Sequence, residues 1–267
     1  MRIFWQSFVD AQTAGAYLET LQGYLNGIAA PGTEVEVFGM VPPDRDFGRL
    51  SELRCGIQAI DAGIGAEEDG YDCFVMGHFQ DPCLYDLRAT LSIPVIGAGE
   101  ATLLAASQLG RRIGLVTLDP AFEVMHREQA DLYGLGTRVS HVTGLGLTPD
   151  EFNACFAGDD SKRAALLEGF TDCAMPMVKN GADVIVPAGI LPGLLIGGEP
   201  GYSVGGAPVV NCAAVALKSA EMWVQLNGLS DLEPNRDTSF VRANDRAKRN
   251  FRTLMERGQA ALRTDPE

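Results

Sequence analysis

The sequence predicts an α/β protein of two pseudo-symmetric domains, each a parallel sheet of about four strands flanked by helices. Three observations predict it. Short Val- and Ile-rich runs alternate with longer segments of helical periodicity, the pattern of a parallel sheet with crossover helices. The short runs are apolar at consecutive positions, as in strands covered on both faces. The chain also repeats its own pattern at an almost constant spacing.

The strands read as Ile3–Trp5, Glu34–Phe38, Cys73–Met76, Pro94–Ile96, Ile113–Val116, Val139–Val142, Val184–Val186 and Pro208–Val210. Helical periodicity covers Thr13–Ile28, which carries apolar residues at Ala16, Leu18, Leu21, Tyr24 and Leu25, and then Ser51–Ile64, Ala98–Leu109, Phe122–Tyr133, Lys162–Lys179 and Ala213–Leu226. A further helix is expected near Asp81-Pro82-Cys83, with Asp81 as its N-cap and Pro82 in its first turn. The tail after Leu229 is polar and charged, with a late helix near Asn244–Leu262 that packs on the surface or on a second copy of the chain.

Gly70-Tyr71-Asp72-Cys73-Phe74-Val75 matches Gly181-Ala182-Asp183-Val184-Ile185-Val186 at an offset of 111 residues. Pro94-Val95-Ile96 matches Pro208-Val209-Val210 at 114, and Arg2-Ile3-Phe4-Trp5 matches Arg112-Ile113-Gly114-Leu115 at 110. Three ordered offsets of this kind point to an internal duplication. The halves divide as residues 1–97 plus 211–228, then 98–210, with 229–267 as a C-terminal extension.

In open parallel sheets ligands bind beyond the carboxyl ends of the strands. In the first half that edge is Gly77-His78-Phe79-Gln80-Asp81-Pro82, and in the second it is Ala188-Gly189-Ile190-Leu191. Facing halves put His78 and the Gly189 loop on opposite walls of one cleft.

Composition narrows the function. The formal charge of −14 argues against nucleic acid as a partner. The six cysteines form no C-x-x-C pair and no zinc-like cluster, so reduced thiols are expected. No signal peptide and no transmembrane run is read, so the expected location is cytoplasmic, without membrane association. Ser7-Phe8-Val9-Asp10 stands where a dinucleotide-binding protein has its glycine-rich turn, which argues against a dehydrogenase.

The same segments carry a family resemblance. Gly77-His78-Phe79-Gln80-Asp81-Pro82 resembles the Gly/Ala-Cys-Phe-x-Asp-Pro motif of the aspartate/glutamate/hydantoin racemase superfamily. Pro94-Val95-Ile96-Gly97-Ala98-Gly99-Glu100-Ala101 is similar to its Pro-Val-Ile-Gly-x-x-Glu-Ala segment. Val184-Ile185-Val186-Pro187-Ala188-Gly189 and Gly206-Ala207-Pro208-Val209-Val210-Asn211 resemble its second-half strands. The likeness covers about residues 1–226. It implies a cofactor-independent, metal-free enzyme, homo-oligomeric, acting on a small carboxylate or a ring-bearing amide at a carbon α to a carbonyl. Racemases of that family use one cysteine from each half; here those positions read His78 and Gly189, so a two-thiol mechanism has no thiols to run on. The family's N-terminal Asn-Pro-Asn is replaced within Gln6-Ser7-Phe8-Val9.

His78 is therefore the leading candidate acid/base, since imidazole titrates near neutral pH. Glu123, His126 and Cys212 are candidates for a second catalytic group, each near a predicted sheet edge. Gln6, Ser7, Gln80, Thr117 and Asn211 are candidates for substrate binding. Ala188, Gly189 and Ile190 offer backbone N–H groups for a carboxylate or an enolate oxygen. Cys83 is expected to face away from His78, and His141 to be structural. Phe4, Trp5, Phe8 and Phe79 suggest a ring-bearing substrate, although core packing explains them equally well. Three activities stay open: an isomerase or racemase; a one-sided lyase, decarboxylase or hydrolase using His78 and the Gly189 loop; and a non-catalytic binder.

Overall fold

A computed structural model describes residues 1–44 and 46–264, with side chains as far as Gly258. The first sheet contains β1 (Arg2–Asp10), β2 (Glu34–Met40), β3 (Cys73–Met76) and β4 (Val95–Gly97), in the spatial order β2-β1-β3-β4 and all parallel. The second contains β5 (Ile113–Thr117), β6 (Val139–Gly144) and β7 (Val184–Ala188), in the order β6-β5-β7. The duplication seen in the sequence is thus a duplication of topology. β1 and β5 are each paired on both sides, and β3 and β7 occupy equivalent places.

The sheets differ at the fourth position. Pro208–Val210, the counterpart of β4, makes one parallel bridge, Val209 to Ile185, and a backbone bond from Val210 N–H to Ile185 O at 2.9 Å. Its first residues are diverted into a small antiparallel hairpin of β8 (Ser203–Val204) and β9 (Ala207–Pro208). Proline 208 has no N–H for a parallel ladder, consistent with a strand that stays incomplete.

The helices connecting the strands are α1 (Gly15–Ile28), α2 (Arg49–Glu68), α3 (Leu84–Thr90), α4 (Ala98–Leu109), α5 (Glu123–Leu132), α6 (Pro149–Phe156), α7 (Asp160–Lys179), α8 (Ile190–Gly197) and α9 (Cys212–Ser230). The α6 and α8 segments carry no sequence expectation above. Each is only eight residues long, too short for a periodic pattern to stand out. The extension adds α10 (Asp245–Thr264), which docks on α2 through Lys248 to Glu67 at 2.7 Å and Arg252 to Asp61 at 3.6 Å. Residues 265–267 of that extension lie outside the described residues. None of the helices among the described residues is long and apolar enough to cross a membrane.

Successive residues of β1 point to opposite faces. Ile3 and Trp5 join a core shared with Leu115 and Val186 of the second half and with Leu21 and Ala216 of α1 and α9. Phe4 and Phe8 enter a separate core under α2 and α3, with Cys55, Phe74 and Leu87. The outer face of the second sheet is covered by α7 through Phe170 and Met177. Both faces of both sheets are buried, as the continuous apolar runs require.

Candidate active site

An open cleft of about 500 Å³ lies where the carboxyl ends of the strands of the two halves meet. Its polar lining is Ser7, Tyr17, Asp44, His78 and Gln80, and its apolar lining includes Phe8, Phe79, Leu118, Phe122 and Leu191. Ala188, Gly189 and Ile190 form part of the far wall.

The placement of His78 begins with Gly77. A Cβ there would lie 2.0 Å from Trp5 Nε1 and 2.7 Å from Gln6 O, so only glycine lets β3 end so close to β1. His78 then leaves the sheet at the mouth of the cleft. Its ring stacks on Phe8, centroids 4.3 Å apart and planes 16° apart, and meets the edge of Phe122 at 6.4 Å. Nε2 lies 2.8 Å from Glu52 Oε1. Asp44 stands beside this pair, its N–H bonded to Phe8 O at 2.9 Å and its Oδ1 accepting from Ser51 Oγ at 2.5 Å. Burial works against a charged imidazole, but the carboxylates of Glu52, Asp44 and Asp81 outweigh it and raise the titration of His78 above its ordinary 6.5.

Among the described residues, Asp44, Glu52 and His78 are also the one trio of His, Cys, Asp or Glu side chains close enough to consider for a cation, with candidate atoms within 4.8 Å of one another. One oxygen of each carboxylate and Nε2 of the histidine are engaged in hydrogen bonds, while Asp44 Oδ2 and Glu52 Oε2 are buried without a hydrogen-bond partner among the described residues.

Asp81 does something other than cap the helix that follows it. The connection from β3 takes left-handed backbone at Asp81 (φ 52°) and Cys83 (φ 58°), and α3 begins only at Leu84. The Asp81 carboxylate instead receives the N–H groups of Gly99 (3.1 Å) and Glu100 (2.7 Å), capping α4. Gln129 and Tyr133 also donate to it, at 3.2 and 2.8 Å. Burial pushes this carboxyl up to about 7.

Of the anticipated groups, His78, Ser7, Gln80, Ala188, Gly189 and Ile190 line the cleft, and the others do not. Thr117 is fully buried, its Oγ1 bonded to His126 Nε2 at 3.0 Å and Ala188 O at 3.3 Å. His126 is equally buried, with Nδ1 on Gln129 Oε1 at 3.1 Å; burial first, and the nearby His78 charge, hold it down to about 4 against that bond. Glu123 accepts from Gly144 N–H at 2.9 Å. Cys212 packs behind the far wall, its Sγ bonded to Gly189 O at 3.2 Å, and burial pushes its thiol up to about 12. Gln6 spends its amide on Ser7 O (2.9 Å) and Gly39 O (3.2 Å). Asn211 caps α9 through Ala214 N–H at 3.1 Å. Of the four aromatic residues, Phe8 and Phe79 face the cleft, while Phe4 and Trp5 are core.

Glu52, Asp44 and Tyr17 were not anticipated. Glu52 had a signal: Cys55, Gly56, Ala59 and Gly63 form the buried stripe of α2, and residue 52 extends that stripe by one turn with a carboxylate. Tyr17 is buried beside Ser7, whose hydroxyl interacts with its phenol; burial nevertheless raises the phenol's titration, which keeps it an O–H donor. It also lies near Cys212, and so on the Gly189 side of the cleft.

The far wall is built from backbone. Gly189 is the N-cap of α8, and no side chain caps that helix. Ile190 and Leu191, the first residues of α8, line the cleft on this side, at the helix end where the positive end of its dipole lies.

A family model described as Asp/Glu/Hydantoin racemase matches residues 25–220. The hydantoin racemase of Pseudomonas sp. (strain NS671) is 36% identical over 76 residues, which is 28% of this chain and only 30% of that protein's length. In fold the chain is similar to allantoin racemase from Klebsiella pneumoniae, with a TM-score of 0.74, 22% identity, and coverage of 92% of this chain and 94% of that one. Allantoin racemase from Pseudomonas fluorescens gives a TM-score of 0.74 at 20% identity, covering 91% and 97%.

Proposed function

We propose that this chain, which belongs to the Asp/Glu/hydantoin racemase family, is a racemase-type enzyme that moves a proton at a carbon α to a carbonyl of a small carboxylate or cyclic amide, with His78 as acid/base. The observation that carries this reading is the environment of His78. Its Nε2 is held by a buried carboxylate, no hydrogen bond to Nδ1 is seen among the described residues, and the residue lines the cleft. A neutral imidazole held this way presents a lone pair to the cleft.

In this proposal the substrate carbonyl lies against the amides of Ile190 and Leu191. His78 takes the α-proton, and the electron pair of the broken C–H bond passes to the carbonyl oxygen. Those amides and the helix dipole stabilise the oxyanion that forms. Return of a proton on the other face falls to the hydroxyls of Tyr17 and Ser7. The names of the similar proteins, and the rings of Phe8, Phe79 and Phe122 around the cleft, favour a five-membered cyclic amide of the hydantoin or allantoin type.

Incubating single enantiomers of hydantoins and of allantoin in deuterated water tests the proposal. It predicts deuterium at the acidic carbon, loss of optical activity and no other change of mass. Turnover without deuterium uptake at that carbon refutes it. The bareness of the Gly189 wall favours a second reading, a one-sided lyase or decarboxylase; release of carbon dioxide or of a ring-opened product would select that instead.

A further inference from the structure

We infer that Glu52 is the positioning residue of the site: it accepts a hydrogen bond from Nε2–H of His78, fixes that tautomer, and leaves Nδ1 as the nitrogen that handles the substrate's proton. The inference rests on the reading of His78 as acid/base, and deepens it.

The first turn of α2 is patterned inside out. Leu50 and Leu53 point to solvent, 82% and 52% exposed, while Ser51 and Glu52 are turned inward, 8% and 5% exposed. The buried stripe of α2 turns this side of the first turn inward, and burying a carboxylate there costs several kcal/mol unless it is paired and hydrogen-bonded. The pairing is the contact of Glu52 Oε1 with His78 Nε2 at 2.8 Å. An ionised carboxylate only accepts, so in the neutral ring the shared proton belongs to Nε2.

The surroundings support one ring orientation. Phe8 covers one face of the imidazole, and Phe122 stands at its edge. Asp44, anchored through Ser51, supplies a second negative charge from the connection between β2 and α2. Asp81 adds a third from the loop of His78 itself, and His126 faces the group from α5. Arg54 steadies this side of the site by donating to Pro42 O and Pro43 O, at 2.8 Å each. Glu52 is the carboxylate in contact with the ring, so it sets which nitrogen is free.

The test is nitrogen-detected NMR of the intact protein, whose three histidines are few enough to assign by substitution. In the wild-type chain, neutral His78 should carry its proton on Nε2 and titrate above 6.5. In Glu52→Gln the titration should drop by a factor of ten or more in proton affinity, and the single tautomer should give way to a mixture. Turnover should fall by about 10²-fold with KM little changed, and Glu52→Asp should recover part of it. Neutral wild-type His78 protonated on Nδ1 would overturn the inference without any variant, as would an unchanged His78 titration in a folded Glu52→Gln protein. If the NMR behaves as stated while His78→Ala leaves α-proton exchange untouched, the pairing stands and the acid/base reading of His78 fails.

Discussion

The two walls of the cleft occupy equivalent places in a duplicated fold and are built from different materials. After β3 the chain makes a seven-residue turn through His78 and Asp81, with two left-handed residues, before α3 starts at Leu84. After β7 a single residue, Gly189, separates the strand from α8. The longer turn gives side chains room to project, and helix α2 answers with a carboxylate. The short one brings the first residues of α8 to the cleft and no ionisable group. Duplication thus preserved the sheets while the length of one loop decided which wall carries charge. The two site-proximal histidines follow the same division. His78 is held toward its charged form by carboxylates, and His126 is held neutral by burial beneath Thr117.

This comparison can be broken in several ways. The largest effect below that of the His78–Glu52 pair is expected at Tyr17, an O–H donor that lines the cleft. Tyr17→Phe should lower racemisation by about 10²-fold while leaving α-deuterium exchange from the His78 side nearly intact. Equal loss of both would show that Tyr17 supports the site as a whole and returns no proton.

The second contrast is thermodynamic. The folded state holds His126 from its ordinary 6.5 down to about 4, so between those values the unfolded chain binds the proton that the folded chain refuses. The stability present above pH 6.5 is therefore lost as pH falls through this window, by about 2 kcal/mol at pH 5. His78 has the opposite sign: its raised titration contributes stability below 6.5 that is lost as pH rises. Urea unfolding at pH 7 and pH 5 should show an acid loss that shrinks by about 2 kcal/mol in His126→Asn. An unchanged difference would mean that His126 is not held neutral.

The smallest effect is expected at Cys212. Its thiol fills the space beside Gly193, where a Cβ would approach Sγ to 2.2 Å, and it supports the wall from behind. Cys212→Ala should cost about 1 kcal/mol in stability and change turnover less than twofold. A loss of orders of magnitude in turnover would return this thiol to the chemistry.

These contrasts also mark how far the sequence could be read. The equivalence of the two halves was legible because the repeat offsets match β1 to β5 and β3 to β7, whereas the order of strands within each sheet depends on pairings that the offsets do not carry. His78 was legible because the end of a strand is a local property. Thr117, His126, Asn211 and Gln6 sit near sheet edges too, yet each is consumed by the demand that buried polar groups be bonded. Which edge residues stay free depends on neighbours far along the chain. Glu52 and Asp44 meet His78 from 26 and 34 positions away, and nothing local to Asp44 announces it. The carboxylate in an apolar stripe was the one visible clue.

Whether the chemistry resides on the His78 wall is measured most directly by α-deuterium exchange in His78→Gln. With folding checked by circular dichroism, the account predicts that exchange into a turned-over hydantoin or allantoin falls by about 10³-fold, while Cys212→Ala exchanges at the wild-type rate. Exchange by His78→Gln within tenfold of wild type would contradict it.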